Sequence, residues 1–140
     1  PPAAPPELNQ VLYVSRVRLT DIAQVRRLHE TCQRNNQRQG LTGLLLCTGG
    51  HFAQLLEGPP TALSETMWRI AADDRHSQMR KLFAKPVTRR MFPGWSMKLL
   101  VNQEADEQVR DLLEAPQPAI HEVAALLAHL QGTGDRARAL

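Results

Sequence analysis

Gln54 is an amide in an apolar setting. It lies in the run Phe52-Ala53-Gln54-Leu55-Leu56, and with a strand's period of two it shares a face with Phe52 and Leu56. An unpaired buried amide costs about 1 to 3 kcal/mol, so the protein or a bound ligand must supply donors and acceptors there. The one tyrosine of the chain, Tyr13, sits in a β-branched run with Ser15 on its face. A neutral phenol, with a pKa of about 10, can give up an electron and then a proton through a neighbouring amide. A glutamine suits that position because one amide carries both a donor and an acceptor. Rotating or tautomerising it reverses which atoms receive a hydrogen bond, which glutamate or leucine could not do. Two more amides, Asn35 and Asn36, end one apolar helical stripe, and Arg69 and Asp73 border another.

The elements that must position these groups follow from the pattern. Val11 to Val17 reads as a first strand, with Leu12 and Val14 on the face opposite Tyr13. Thr20 or Asp21 can cap a helix whose apolar positions Ile22, Val25, Leu28 and Cys32 run on to Asn35 and Asn36. Leu41 to Thr48 and His51 to Glu57 are strand-like runs joined by the hairpin signal Gly49-Gly50. Pro59-Pro60 stops the strand, and Thr61 to Asp74 is a second amphipathic helix with Leu63, Met67 and Ile70 inward. Lys81 to Arg89 is a weaker strand, and after Pro93-Gly94 the residues Trp95, Met97 and Leu99 alternate with Ser96 and Lys98 in a last one. The order βαββαββ predicts an α+β, ferredoxin-like sandwich with both helices on one face.

Leu44-Leu45-Leu46 and Leu55-Leu56 leave no polar side, so a second layer must cover the other face. Glu104 to Glu114 and Ala119 to Leu130 supply it, as two short helices split by Pro116 and Pro118. The expected organisation is a leader over 1–10, a sheet domain over 11–101, a helical cap over 102–131 and a flexible tail over 132–140. The segment Pro1 to Pro6 is expected to be a disordered leader, a linker or a cloning remnant.

The 140 residues suit a single domain, and the net charge of +3 comes from scattered arginines, a solvated surface rather than an anion-binding run. Cys32 and Cys47 lack metal-ligand spacing and read as free thiols in a reducing cytoplasm. No apolar run approaches the roughly 18 residues of a membrane span. His29, His51, His121 and His129 share no spacing and read as surface residues, and Trp68 as core or a dimer contact.

The chain resembles the BLUF family of blue-light sensors over about Val11 to Leu100. The resemblance rests on Tyr13 to Ser15, Asn35-Asn36, Leu41 to Gly43, Phe52 to Gly58, Asp73 to His76 and Arg90 to Met97, which stand in the family's order and spacing. It implies a flavin, FAD by default with FMN or riboflavin as other occupants, held between the two helices. Tyr13 would be the photoactive tyrosine and Gln54 the glutamine bridging it to the flavin. Asn36 would bind the ring's polar edge and Asn35 lie against the ring or bond its imide side. Arg69 and Asp73 would address the pyrimidine end, with Leu28 and Ile70 on the two ring faces. Arg75 and His76 would either touch the flavin or close the helix. Trp95 and Met97 would relay the signal along the last strand. The resemblance also implies a dimer or larger homo-oligomer, and an output through an unidentified downstream protein or the assembly itself rather than through catalysis.

Other functions fit less well. An acylphosphatase needs a glycine-rich phosphate cradle after strand one, and Ser15-Arg16-Val17-Arg18 has no glycine. An RNA-binding sheet needs exposed aromatics, and only Tyr13 and Phe52 are available, so no direct nucleic-acid binding is expected. A flavin oxidoreductase needs an open substrate site where Tyr13 and Gln54 stand. A light-insensitive flavin-binding redox or regulatory protein of the same fold remains the second reading. One hydrogen bond is worth about 0.5 to 1.5 kcal/mol, whereas inverting a 1:99 equilibrium takes about 5.5, so Gln54 cannot be the whole switch; the expectation is that it biases a larger rearrangement of the Trp95 to Leu99 strand, which alters how the tail helices sit on the sheet.

Overall fold

The computed structural model describes residues 7–18 and 21–139, with the backbone alone for 133–139. The chain runs β1 (Leu8–Val17), α1 (Ile22–Gln39), β2 (Thr42–Cys47), β3 (His51–Gly58), α2 (Pro60–Ala72), β4 (His76–Val87), β5 (Lys98–Val101), a 3-10 turn (Gln103–Ala105), α3 (Asp106–Glu114) and α4 (Ile120–Ala139). This is the α+β order the pattern predicts. The Pro1 to Pro6 leader and the candidate cap Thr20 lie outside the described residues.

The strands lie in the order β4-β1-β3-β2-β5. All neighbours are antiparallel except β2 and β5. Two apolar clusters form, one on each face. Val25 and Leu28 of α1 and Leu63 of α2 pack on Val11, Leu45, Phe52 and Leu56. Val109 and Leu112 of α3 and Leu126 and Leu130 of α4 pack on Leu12, Val14, Leu44 and Leu55. The period-two alternation of β1, β2 and β3 therefore feeds both layers, which is why these strands carry no polar face.

Asp21 caps α1, its carboxylate accepting from Gln24 N at 2.9 Å while the Gln24 side chain accepts from Asp21 N at 3.3 Å. Such a box stabilises a helix by about 1 kcal/mol. Gly40, at φ 70°, ends α1 in the left-handed region and turns Leu41 N back onto Asn36 O at 2.9 Å. That turn fixes the last helical residues, Asn35 and Asn36 among them. At Gly43 a Cβ would collide with the Leu55 carbonyl, so only glycine lets β2 approach β3 this closely.

The helix α3 is tied to the sheet at both ends. Asp106 Oδ1 accepts from Thr48 Oγ1 (2.6 Å), His51 Nδ1 (2.9 Å) and Gly50 N (3.2 Å) at the β2–β3 hairpin tip. Arg80 of β4 donates to the C-terminal carbonyls of Leu112 and Ala115 at 3.0 and 2.5 Å, complementing the helix dipole.

Several expectations need correction. β1 starts at Leu8, because Leu8 and Asn9 pair with Val87 and Pro86 of β4 as well as Asn9 with Gly58. β4 starts at His76, not Lys81; its first residues are polar and bulged, with Gln78 at φ 53°, so alternation does not reveal them. β5 begins only at Lys98, and α4 continues as helix to Ala139. His51 is buried, and Trp68 is 79 % exposed rather than core. Trp95 does not share a face with Met97. It stacks on Phe92 (centroids 5.4 Å apart, planes at 13°) and packs on the α3/α4 side, whereas Met97 is in the α1/α2 cluster. The chain crosses the sheet edge between them.

Candidate functional site

Tyr13 of β1 and Gln54 of β3 are register partners, and Leu45 of β2 stands on the other side of Gln54. All three face the helices α1 and α2. The Tyr13 hydroxyl donates to Gln54 Oε1. Among the described residues the amide nitrogen of Gln54 has only the Met97 sulfur, at 3.6 Å, as partner. A thioether is a weak acceptor, so the N–H donors of Gln54 are available to a ligand carbonyl.

Above this pair opens a cavity between α1 and α2, partly open to solvent. α1 contributes Leu28, Thr31, Cys32, Asn35 and Asn36; α2 contributes Thr66, Arg69 and Ile70; and the sheet forms the floor with Tyr13, Leu45, Phe52 and Gln54. Asp73, Arg75 and His76 close one end. Asn36 is 2 % exposed and donates from Nδ2 to Ser96 O at 2.5 Å, which leaves its Oδ1 as an acceptor.

Burial keeps the Tyr13 phenol and the Cys32 thiol neutral. Burial pushes the Tyr13 phenol well above its ordinary pKa of 10, and charge on Cys32 or Asp73 adds to the effect. Burial likewise pushes Cys32 up to about 11, against the pull of Arg75. Arg75 holds the Asp73 carboxyl below its usual range, donating from Nε at 2.9 Å and Nη2 at 2.7 Å. The same pairing raises Arg75. His76 bonds Ile70 O through Nε2 at 2.6 Å and Ser15 Oγ through Nδ1 at 2.8 Å. The carbonyl can only accept, so Nε2 carries a proton.

The family model described as sensors of blue-light using FAD matches residues 8–98. The chain belongs to the BLUF family. It is 30% identical over 93 residues to the blue light- and temperature-regulated antirepressor BluF of Escherichia coli, covering 66% of this chain and 23% of that protein. It is 37% identical over 68 residues to photoactivated adenylate cyclase subunit beta of Euglena gracilis, covering 48% of this chain and 8% of that one. This chain thus spans less than a quarter of either relative. The dark-state structure of the BLUF protein BlrB superposes with a TM-score of 0.77 at 35% identity, covering 91% of this chain and 98% of that one.

The BLUF cavity fits the flavin that the family description names. Apolar side chains from opposing helices, Leu28 and Ile70, line it, and Asn35, Asn36 and Gln54 offer hydrogen bonds. Of the residues singled out from the sequence, Tyr13, Leu28, Asn35, Asn36, Gln54, Arg69, Ile70, Asp73, Arg75 and His76 all line it. Met97 reaches it through Gln54. Trp95 does not, being on the other face of the sheet. Arg69 is exposed at the rim, with one long bond to Thr66 Oγ1 at 3.4 Å. Asp73 gives both carboxylate oxygens to Arg75. Thr31, Cys32 and Thr66 also line the cavity and were not read as cofactor contacts. Their helical spacing from Leu28, Asn35, Arg69 and Asp73 is the signal that identifies them.

Proposed function

We propose that this chain senses blue light through the Tyr13–Gln54 pair and passes the change from Met97 to its helical cap. The observation that carries this reading is a buried tyrosine donating to a glutamine whose own N–H groups face a cavity lined by both helices. A flavin bound there supplies the blue absorption and, when excited, an electron acceptor. Leu28 and Ile70 would hold its ring between the helices, with Asn35 and Asn36 on its polar edge and Arg69 at the rim. Tyr13 holds its proton on Oη and can deliver it only to Gln54 Oε1, its sole hydrogen-bond partner among the described residues. Gln54 then rotates or tautomerises, and in either case its bond to the Met97 sulfur changes. Asn36 reads the same segment through Ser96 O.

α3 and α4 are the surface on which a downstream protein or a second copy of the chain would act, in the cytoplasm. None of the described helices is long and apolar enough to cross a membrane. The output is a change of contact rather than catalysis by this chain. The test is the absorption spectrum in the dark, under blue light and after return to darkness, with Tyr13→Phe alongside. A flavin band that shifts red, recovers, and fails to shift in the variant is the expected result. A bound flavin with no shift would make this a light-insensitive flavin protein; no flavin after reconstitution would remove both readings.

A further inference from the structure

The segment from Arg90 to Met97 is a strap that passes from the cap face of the sheet to the cavity face. Its cavity end is held by Asn36 Nδ2 on Ser96 O (2.5 Å), by Gly43 N on Trp95 O (3.0 Å) and by His29 Nε2 with Met97 O (2.8 Å). Its other end is held by Glu57, a carboxylate with 0% exposure.

Glu57 is three residues along β3 from Gln54 and falls on the opposite face, with Ala53 and Leu55. Its carboxylate accepts from Phe92 N at 2.6 Å, Met91 N at 2.8 Å, Gln10 Nε2 at 3.2 Å and Thr42 Oγ1 at 3.3 Å. Gln10 and Thr42 are its register partners on the strands to either side. Arg90 reinforces the junction, donating to Gly40 O at 2.8 Å, Thr42 Oγ1 at 2.9 Å and Glu57 O at 3.1 Å. Hydrogen bonds from backbone N–H groups to a carboxylate are charge-assisted and strong. Between the two anchors, Phe92 and Trp95 stack on each other against the cap.

A strap free to slide absorbs a push at one end, whereas a strap fixed at the far end must bend in the middle. The strap side chain next to the cavity end that meets the cap is Trp95. We infer that Glu57 is a positioning residue for the light response: it fixes Met91 and Phe92, so that displacement of Ser96 and Met97 is delivered to Trp95 and the cap. The light-dependent part rests on the blue-light reading above. Glutamine is nearly isosteric with glutamate but turns an N–H group toward donors that need an acceptor.

The test is Glu57→Gln, read by amide hydrogen exchange and by absorption. In the flavin-free protein, exchange over 91–97 is expected to be at least about tenfold faster than in the unsubstituted chain. In the flavin-loaded protein the red shift should form with undiminished amplitude, because the Tyr13–Gln54 pair is intact, while the light-induced exchange change over 106–114 falls by at least about half. Unaltered exchange over 91–97, or a loosened strap with the full light response over 106–114, would overturn the inference. If the unsubstituted protein holds flavin but shows no red shift, the sensor reading and the light-dependent half fall together, while the flavin-free exchange still decides the positioning half. Should Glu57→Gln not fold, Gln10→Met removes one of the four donors and is expected to speed the same amides about two- to fivefold; no change there would overturn the inference equally.

Discussion

Tyr13 and Gln54 stand directly opposite each other on adjacent antiparallel strands, and the phenol of one donates to the amide oxygen of the other. The bond joins two buried groups, so the loss of either partner has a different cost. Gln54→Leu leaves the Tyr13 hydroxyl buried without an acceptor and should destabilise the flavin-free fold by about 1 to 3 kcal/mol. Tyr13→Phe removes a donor from an amide that still faces the cavity, where water can reach it, and should cost less than about 1 kcal/mol. Both variants should lose the red shift. Urea midpoints of the two proteins beside their light-minus-dark spectra separate the stability effect from the photochemical one.

Asp106 should set how firmly the cap sits on the hairpin that carries Gln54. Burial on its own would raise this carboxyl, but the bonds from Thr48, His51 and Gly50 hold it below its usual range. A carboxyl depressed in the folded state contributes stability above its unfolded pKa of about 3.9, lost as pH falls through the folded value. Asp106→Ala should therefore cost about 1 to 2 kcal/mol at pH 7, given that the group is partly exposed. The difference from the unsubstituted chain should shrink below about pH 4. A difference that is the same at pH 7 and pH 3 would mean the carboxylate is not what ties α3 down.

The part of the site carried by regular strands and helices was legible because alternation and the three-to-four spacing name a face directly. Phe52, Gln54 and Leu56 on one face of β3, and Leu28, Asn35 and Asn36 on one side of α1, are of this kind. Trp95 was not, since an alternating Trp95, Met97, Leu99 looks the same whether or not the chain crosses a sheet edge between the first two. His51 and Glu57 were missed for another reason: their partners, Asp106 and the Met91–Phe92 amides, are 55 and about 34 residues away. Local pattern marks where a polar residue is buried and cannot say what satisfies it. The early start of β4 was hidden by a polar edge with a bulge opposite Ser15.

Cys32 offers a check on the electrostatics of the cavity. With its pKa pushed up to about 11 by burial, its thiolate fraction at neutral pH should be about 100-fold below that of an ordinary thiol. Alkylation by iodoacetamide in the flavin-free protein should be slow at pH 7 and rise about tenfold per pH unit towards pH 11. Bound flavin should protect Cys32, which lines the cavity, without protecting the thiols of the unfolded chain. A Cys32 that alkylates at pH 7 as fast as a free thiol would show that the cavity is wetter than the packing indicates.

Gln78 stores strain that glycine would relieve. It sits at φ 53° in β4, in the bulge that sets Arg16 against Ser77 and Val14 against Arg80. A side chain in the left-handed region costs about 1 to 2 kcal/mol, partly offset because glycine loses more backbone entropy on folding. Gln78→Gly should thus stabilise the fold by about 0.5 to 1 kcal/mol, seen as a higher urea midpoint with an unchanged slope. Gln78→Val, whose branched Cβ tolerates this conformation least, should destabilise it. The bulge lies beside Ser15, whose hydroxyl holds His76 at the end of the cavity. A Val variant that unfolds earlier and also binds flavin more weakly would tie the bulge to the placement of His76, whereas equal midpoints for all three side chains would show that Gln78 is not strained.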